Sequence, residues 1–226
     1  PLLTPSSNTI PKEHFNSETY VYVLNDEGKY NTRGIQATNR INPRATNVPF
    51  VIQMGLADRI DLTIIPQFTY SYGHGRQDVS MGDLIIGTSY QLLRHSEKHY
   101  GLTWNAGLKQ LFPSGRFENL NPIYAGNDCC GSGSWSTTLF TAVAKQYHIQ
   151  RQNFLSARSA FQAIFYMPTE IHGTNAFGGD SSTTGRFDRG FSCIWDIGLE
   201  FTISRHWAIA LDIENQYMTK AKFTGV

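Results

Sequence analysis

From Ile60 onward the chain sorts its side chains onto two faces. Ile60, Leu62, Ile64, Pro66, Phe68, Tyr70 and Tyr72 project to one side, and Asp61, Thr63, Ile65, Gln67, Thr69 and Ser71 to the other, the period-2 signature of a pleated strand. The alternation returns with Tyr100, Leu102, Trp104, Ala106 and Leu108 against Thr103, Asn105 and Lys109. Phe191, Cys193, Trp195, Ile197, Leu199, Phe201 and Ile203 likewise oppose Ser192, Asp196, Gly198, Glu200 and Thr202, and Trp207, Ile209, Leu211 and Ile213 oppose Asp212, Glu214 and Gln216. Only 134–147 is irregular, with Phe140 and Lys145 on the unexpected faces. The pattern predicts strands at 18–26, 48–56, 60–72, 80–93, 100–112, 134–147, 153–167, 190–203 and 207–219, preceded by an extended, proline-bearing arm over 1–17.

Two architectures use such strands. A soluble sandwich buries the apolar face as its core; a membrane barrel turns that face to lipid and lines its lumen with the polar one. Soluble strands average ~5–6 residues and a tilted crossing of a bilayer needs ~9–11, so runs of this length favour the barrel. The junctions agree, because ADR, RHSEKH, HIQRQN and SRH are short while YGHGRQDVSMG and the segments 113–133 and 168–189 are long. Outer-membrane barrels segregate short periplasmic turns from long external loops in this way. Aromatics gather near strand ends: Phe68, Tyr70 and Tyr72 at one boundary, Tyr100, Tyr147, Phe154 and Trp207 beside short turns, Phe112, Trp135, Tyr166 and Phe191 beside long loops. That placement fits two interfacial girdles.

Composition sharpens the choice. Charged residues make up 16% of the 226 and aromatics 13%, against roughly 25% charged in ordinary soluble domains. A net charge of +1 and the absence of a Lys/Arg block exclude a nucleic-acid partner. No apolar run is long enough for a transmembrane helix, and the mean hydropathy of −0.32 does not speak against barrel strands, which alternate. No basic-then-apolar leader opens the sequence, and the expectation is a processed, mature form.

Four stretches, GLADRIDLTIIPQF, MGDLIIGTSYQLL, GLTWNAGLKQLFPSG and GSGSWSTTLFTAVAKQY, resemble the outer-membrane family of the MetA pathway of phenol degradation, a transporter-like barrel group. The likeness spans roughly 48–219 and is carried by Gly55 to Arg59, Gly82 to Leu84 and Pro113 to Gly115. It implies an envelope location and passage of small, often aromatic compounds, with no catalytic residues and no cofactor. The ending KAKFTGV lacks the terminal aromatic of such a barrel. Nine strands cannot close an even-stranded barrel, so an all-β, antiparallel up-and-down barrel of about 10–12 strands is expected, with a tenth strand near 29–38, further strands beyond Val226, or both.

In that barrel Asp61, Lys109, Arg158, Asp196, Glu200, Asp212 and Glu214 point inward. They form either a polar plug that stabilises a narrow barrel or the lining of a selective path for small solutes. Cys129 and Cys130 fall in a loop and Cys193 early in a strand, so a disulfide among them is conceivable, and the odd count leaves a thiol over. His95, His99, His148 and His206 all fall at short turns, yet no carboxylate spacing supports a metal site there. Besides outer-membrane lipid and small solutes, an envelope or extracellular partner at loops 113–133 and 168–189 is the alternative reading. A membrane-embedded hydrolase using a loop histidine, His74 or His172, and a soluble sandwich are two further alternatives.

Overall fold

The computed structural model describes residues 5–25, 28–30, 33–38, 44–73, 75–94, 101–124, 126–150, 153–204 and 206–226. In chain order the strands are β1 (Phe15–Thr19), β2 (Tyr22–Asn25), β3 (Gly28–Tyr30), β4 (Gln36–Thr38), β5 (Arg44–Ala57), β6 (Ile60–Ile65), β7 (Gln67–Gly73), β8 (Arg76–Met81), β9 (Leu84–Leu93), β10 (Leu102–Phe112), β11 (Ser136–Gln150), β12 (Asn153–Tyr166), β13 (Thr169–His172), β14 (Thr184–Asp188), β15 (Phe191–Thr202), β16 (Ala208–Met218) and β17 (Lys222–Gly225). Twelve of these segments form one antiparallel sheet, which curls into a half-barrel.

Three long strands of that sheet are each interrupted once. β1 and β2 both pair with β5, while β6 and β7 pair with β5 on one side and with β9 and β8 on the other. The breaks fall at Tyr20–Val21, at Pro66 and at Gly82–Asp83. Proline has no N–H to give the ladder, but its carbonyl still accepts from Phe50 N at 3.0 Å, so the two-face phase carries through from Ile60 to Gly73. The twelve segments therefore make nine strands in serial up-and-down order. β5, β11, β12 and β15 run 14, 15, 14 and 12 residues, enough to cross a bilayer at a tilt.

Two expectations are corrected. The segment near 29–38 adds no strand to the sheet: β3 and β4 are three residues each and pair with one another. Without sustained alternation, that stretch has no apolar face to give to lipid. The stretch YGHGRQDVSMG is not a long loop either, since β7 and β8 run through most of it, Gly73 pairs with Arg76, and Gly75 adopts φ +70°. The projecting hairpin, rather than a loop, supplies the length at that end. Among the described residues the outer edges of β1–β2 and β16 meet no further strand. β13, β14 and β17 form a separate small sheet at the long-loop end.

Burial is distributed opposite to that of a soluble protein. The most buried side chains of the sheet are polar or small, among them Asp61, Ser71, Ser89, Gln91, Thr103, Asn105, Ala142, Ala160, Ser192 and Asp196. Phe68, Tyr70, Tyr90, Trp104, Leu108, Leu139, Phe161, Trp195 and Leu199 on the other face are exposed. Water would penalise that apolar face by about 25 cal/mol for every Å² shown to it, so its solvent is lipid. Both outward tryptophans of the sheet satisfy their N–H internally, Trp104 Nε1 donating to Thr141 Oγ1 at 2.7 Å and Trp195 Nε1 to Ser159 Oγ at 2.9 Å, as hydrocarbon surroundings require. Aromatic pairs Phe112–Trp135 and Phe165–Phe191 stand at the long-loop end, and Lys145 lies over Tyr147 at the short-turn end. No helix of the described residues is long and apolar enough to cross a membrane.

Candidate functional site

The concave face holds the N-terminal arm. Pro11 and Glu13 start it: His14 N donates to Pro11 O at 3.0 Å, Glu13 takes φ +65°, and the chain leaves the β1 ladder and folds back over Gly55. A Cβ at position 55 would fall within 2.6 Å of backbone atoms of Ile10 and Pro11, so only glycine lets the arm pass. Beyond that turn the arm crosses the strands as a strap. Ile10 N donates to Asp61 Oδ2 at 3.2 Å, and Thr9 N to Gln91 Oε1 at 2.6 Å. Gln91 Nε2 returns a bond to Ser7 O at 2.8 Å, and Asn105 Nδ2 donates to Ser6 O at 2.9 Å. Ser7, 1% exposed, shares a 2.6 Å hydroxyl contact with Thr103. Inward polar side chains of β6, β9 and β10 thus serve as the partners that the strap backbone needs, since a buried amide left unpaired would cost about 1–3 kcal/mol.

The opposite end carries a roof. Asp83, buried at the break between β8 and β9, accepts from Gly115 N at 3.0 Å and Ser132 N at 2.7 Å, and so staples both ends of loop 113–133. Ser114 Oγ adds bonds to Gly82 O and Leu84 N, both 3.1 Å. The loop then reaches over the lumen, where Asn127 O accepts from Ser71 Oγ. Backbone bonds Leu120 N to Thr174 O, 2.8 Å, and Ala176 N to Phe117 O, 2.7 Å, join it to loop 168–189.

Between strap and roof lies a hollow of about 430 Å³. Tyr20, Val51, Thr63, Ile65, Ile85 and Phe140 line it together with Asp61 and Lys109. Phe140, which broke the expected alternation, faces inward here, packs over Gly107 and lies 4.9 Å below Lys109 Nζ. Lys145 faces outward and reaches its girdle tyrosine. A second hollow of about 270 Å³ near the short turns is lined by Ser7 and Asn8 of the strap with Arg158 and Glu200. The inward set named from sequence is therefore divided: Asp61 and Lys109 border the first space, Arg158 and Glu200 the second. Asp196 is buried between them, with Oδ2 accepting from Gln162 Nε2 at 3.3 Å. Asp212 and Glu214 lie on the edge strand β16, in register with Gly198 and Asp196.

The three cysteines are free. Cys193 shares the outward face of β15, whereas Cys130 Sγ, in loop 113–133, lies 3.2 Å from both Arg116 N and Met81 O at the end of β8, with β12, β11 and β10 intervening in the sheet. Burial pushes the Cys129 thiol above its ordinary range. His148 stacks on Phe154 at 4.9 Å, and His172 lies in β13 with its backbone N donating to Glu118 Oε2 at 3.1 Å. His74, His95 and His99 lie outside the described residues. Gln91, Asn105, Thr103 and Asp83, which hold the strap and roof, were not singled out from sequence. Their signal was polarity at inward positions beside short-turn or break residues, which an ordinary lumen wall also shows.

No family model matches the chain, and no curated protein matches its sequence. Among solved structures it resembles the COG4313 outer membrane channel from Pseudomonas putida F1, with a TM-score of 0.62 at 15% identity over 96% of this chain and 77% of that one. With that likeness and a lipid-facing apolar belt, the chain has the fold of an outer-membrane β-barrel channel.

Proposed function

We propose that the protein is a passive channel of the bacterial outer membrane for small apolar or aromatic compounds, with residues 5–12 as an internal strap that restricts the path. The observation that carries this reading is the pair of hollows separated by a hydrogen-bonded arm inside an inside-out sheet. A purely structural barrel would fill its interior with side chains; here a chain segment occupies it, held by side chains that could equally be solvated. The likeness to a channel supports transport, and the motif resemblance supports small aromatic solutes.

The test is flux into proteoliposomes of small neutral solutes, comparing the whole chain with a variant lacking residues 1–12 but retaining β1. Deletion is expected to raise flux severalfold. Equal impermeability of both forms would sink the channel reading and move attention to the loop surface at 113–133 and 168–189.

A further inference from the structure

Resting on that reading of the lumen, we infer that the hollow between strap and roof is a binding site for a small amphiphilic anion, an aromatic or short aliphatic carboxylate, anchored by Lys109. Val51, Ile65, Ile85 and Phe140 are inward apolar residues that all line this one space, whereas the other inward apolar side chains of the wall, such as Leu111, Ile164 and Ile194, lie outside it. Together the four offer an apolar bed to the body of a ligand, in a volume at the small end of small-molecule sites.

The charges of that bed are unequal in their commitments. Asp61 is fully engaged, with Oδ2 accepting from Ile10 N and Oδ1 from Ser89 N at 3.2 Å and Ser89 Oγ at 2.6 Å. Lys109 makes no ion pair or hydrogen bond among the described residues, and its ammonium is held over the Phe140 ring. The competing anion is Asp196, which lies beyond ion-pair distance of Lys109 and outside the lining of this hollow. One of its oxygens is bonded to Gln162 and the other, Oδ1, has no partner. An unengaged cation beside an apolar bed selects a carboxylate with an apolar body over a neutral molecule of the same shape, because a charge-assisted bond is stronger than a neutral one.

The experiment titrates purified full-length protein in detergent calorimetrically with benzoate, benzamide and benzylammonium, and measures their flux in proteoliposomes separately. Benzoate is expected to bind about tenfold or more tightly than benzamide, the order of one charge-assisted bond, and benzylammonium weakest. Lys109→Gln should abolish the preference for benzoate, Lys109→Arg should keep it, and Asp196→Asn should strengthen it by removing the competitor. Equal affinity for benzoate and benzamide, no binding of either, or a preference that survives Lys109→Gln overturns the inference. Binding with that preference but no flux of any solute would instead retain the site and refute the channel.

Discussion

Replacing Gly55 by alanine tests whether the strap is a removable element. Gly55 sits in β5 without positive φ, so alanine is conformationally acceptable and the effect is steric. The new Cβ meets backbone atoms of Ile10 and Pro11 within 2.6 Å, well inside van der Waals contact, and backbone cannot rotate aside as a side-chain tip can. The strap must therefore lift, which strains the bonds nearest the clash: Glu13 N to Gly55 O at 3.1 Å and Ile10 N to Asp61 at 3.2 Å. At about 1 kcal/mol net for each, with a similar contribution from the overlap itself, the seated state loses about 2–3 kcal/mol, and the unseated population rises roughly 30- to 150-fold. Liposome swelling with a small sugar reads the opening. In a background with the native cysteines replaced by serine, Ser7→Cys with Thr103→Cys ties the strap where the two hydroxyls now touch at 2.6 Å. Oxidation should return Gly55→Ala flux to the wild-type level, and reductant should release it. Unchanged flux in Gly55→Ala, or flux indifferent to the tie, would refute a strap that controls passage.

Further outcomes follow from the same geometry. Leu199→Arg, on the lipid face of β15, should cost about 2–4 kcal/mol if it lies near the bilayer midplane, and Thr63→Arg in the hollow should cost less; denaturant unfolding in lipid gives the order, and its reversal would invert the assignment of faces. Asp83→Ala strands the buried Gly115 amide and the half-buried Ser132 amide, at about 1–3 kcal/mol. It should therefore make loop 113–133 sensitive to limited proteolysis while the strands stay protected. Because burial holds the Cys129 thiol above its ordinary value, its reactive thiolate is scarce at neutral pH and grows only as pH climbs through that raised value. Iodoacetamide should label it more slowly than an unhindered thiol at pH 8, and equal rates would contradict the burial.

The sheet was legible because a lipid-facing wall obeys a simple rule at every second residue. Nine strand positions could be read from the pattern, 134–147 in spite of its broken alternation, and the interruption at Pro66 did not hide β6 and β7, since the phase is continuous across it. Where the rule failed, it failed for local reasons. A hairpin whose strands close at Gly73 and Arg76 amid glycines and polar residues looks, in sequence, like the middle of a loop, so the β7–β8 hairpin was read too short. The strands β3 and β4 carry too few residues for any periodicity to show.

The interior was far less legible, and the reason is physical. Alternation states that a side chain faces inward but not what it meets there. Asp61, Gln91, Thr103 and Asn105 look alike as lumen polarity, and only coordinates reveal that they bind residues 51 to 99 positions earlier in the chain. The arm itself has no periodicity because its partners are side chains scattered over three strands rather than a ladder. Phe140 and Ile65 show the converse. Each looks like an error when every inward position is expected to be polar, yet together with Val51 and Ile85 they border one hollow that also holds an unengaged lysine. Where an inside-out wall must be polar merely to be wet, apolar inward residues have no folding duty to lipid or to water. The convergence of four of them on a single cavity is accordingly the part of the pattern that points most directly to a ligand.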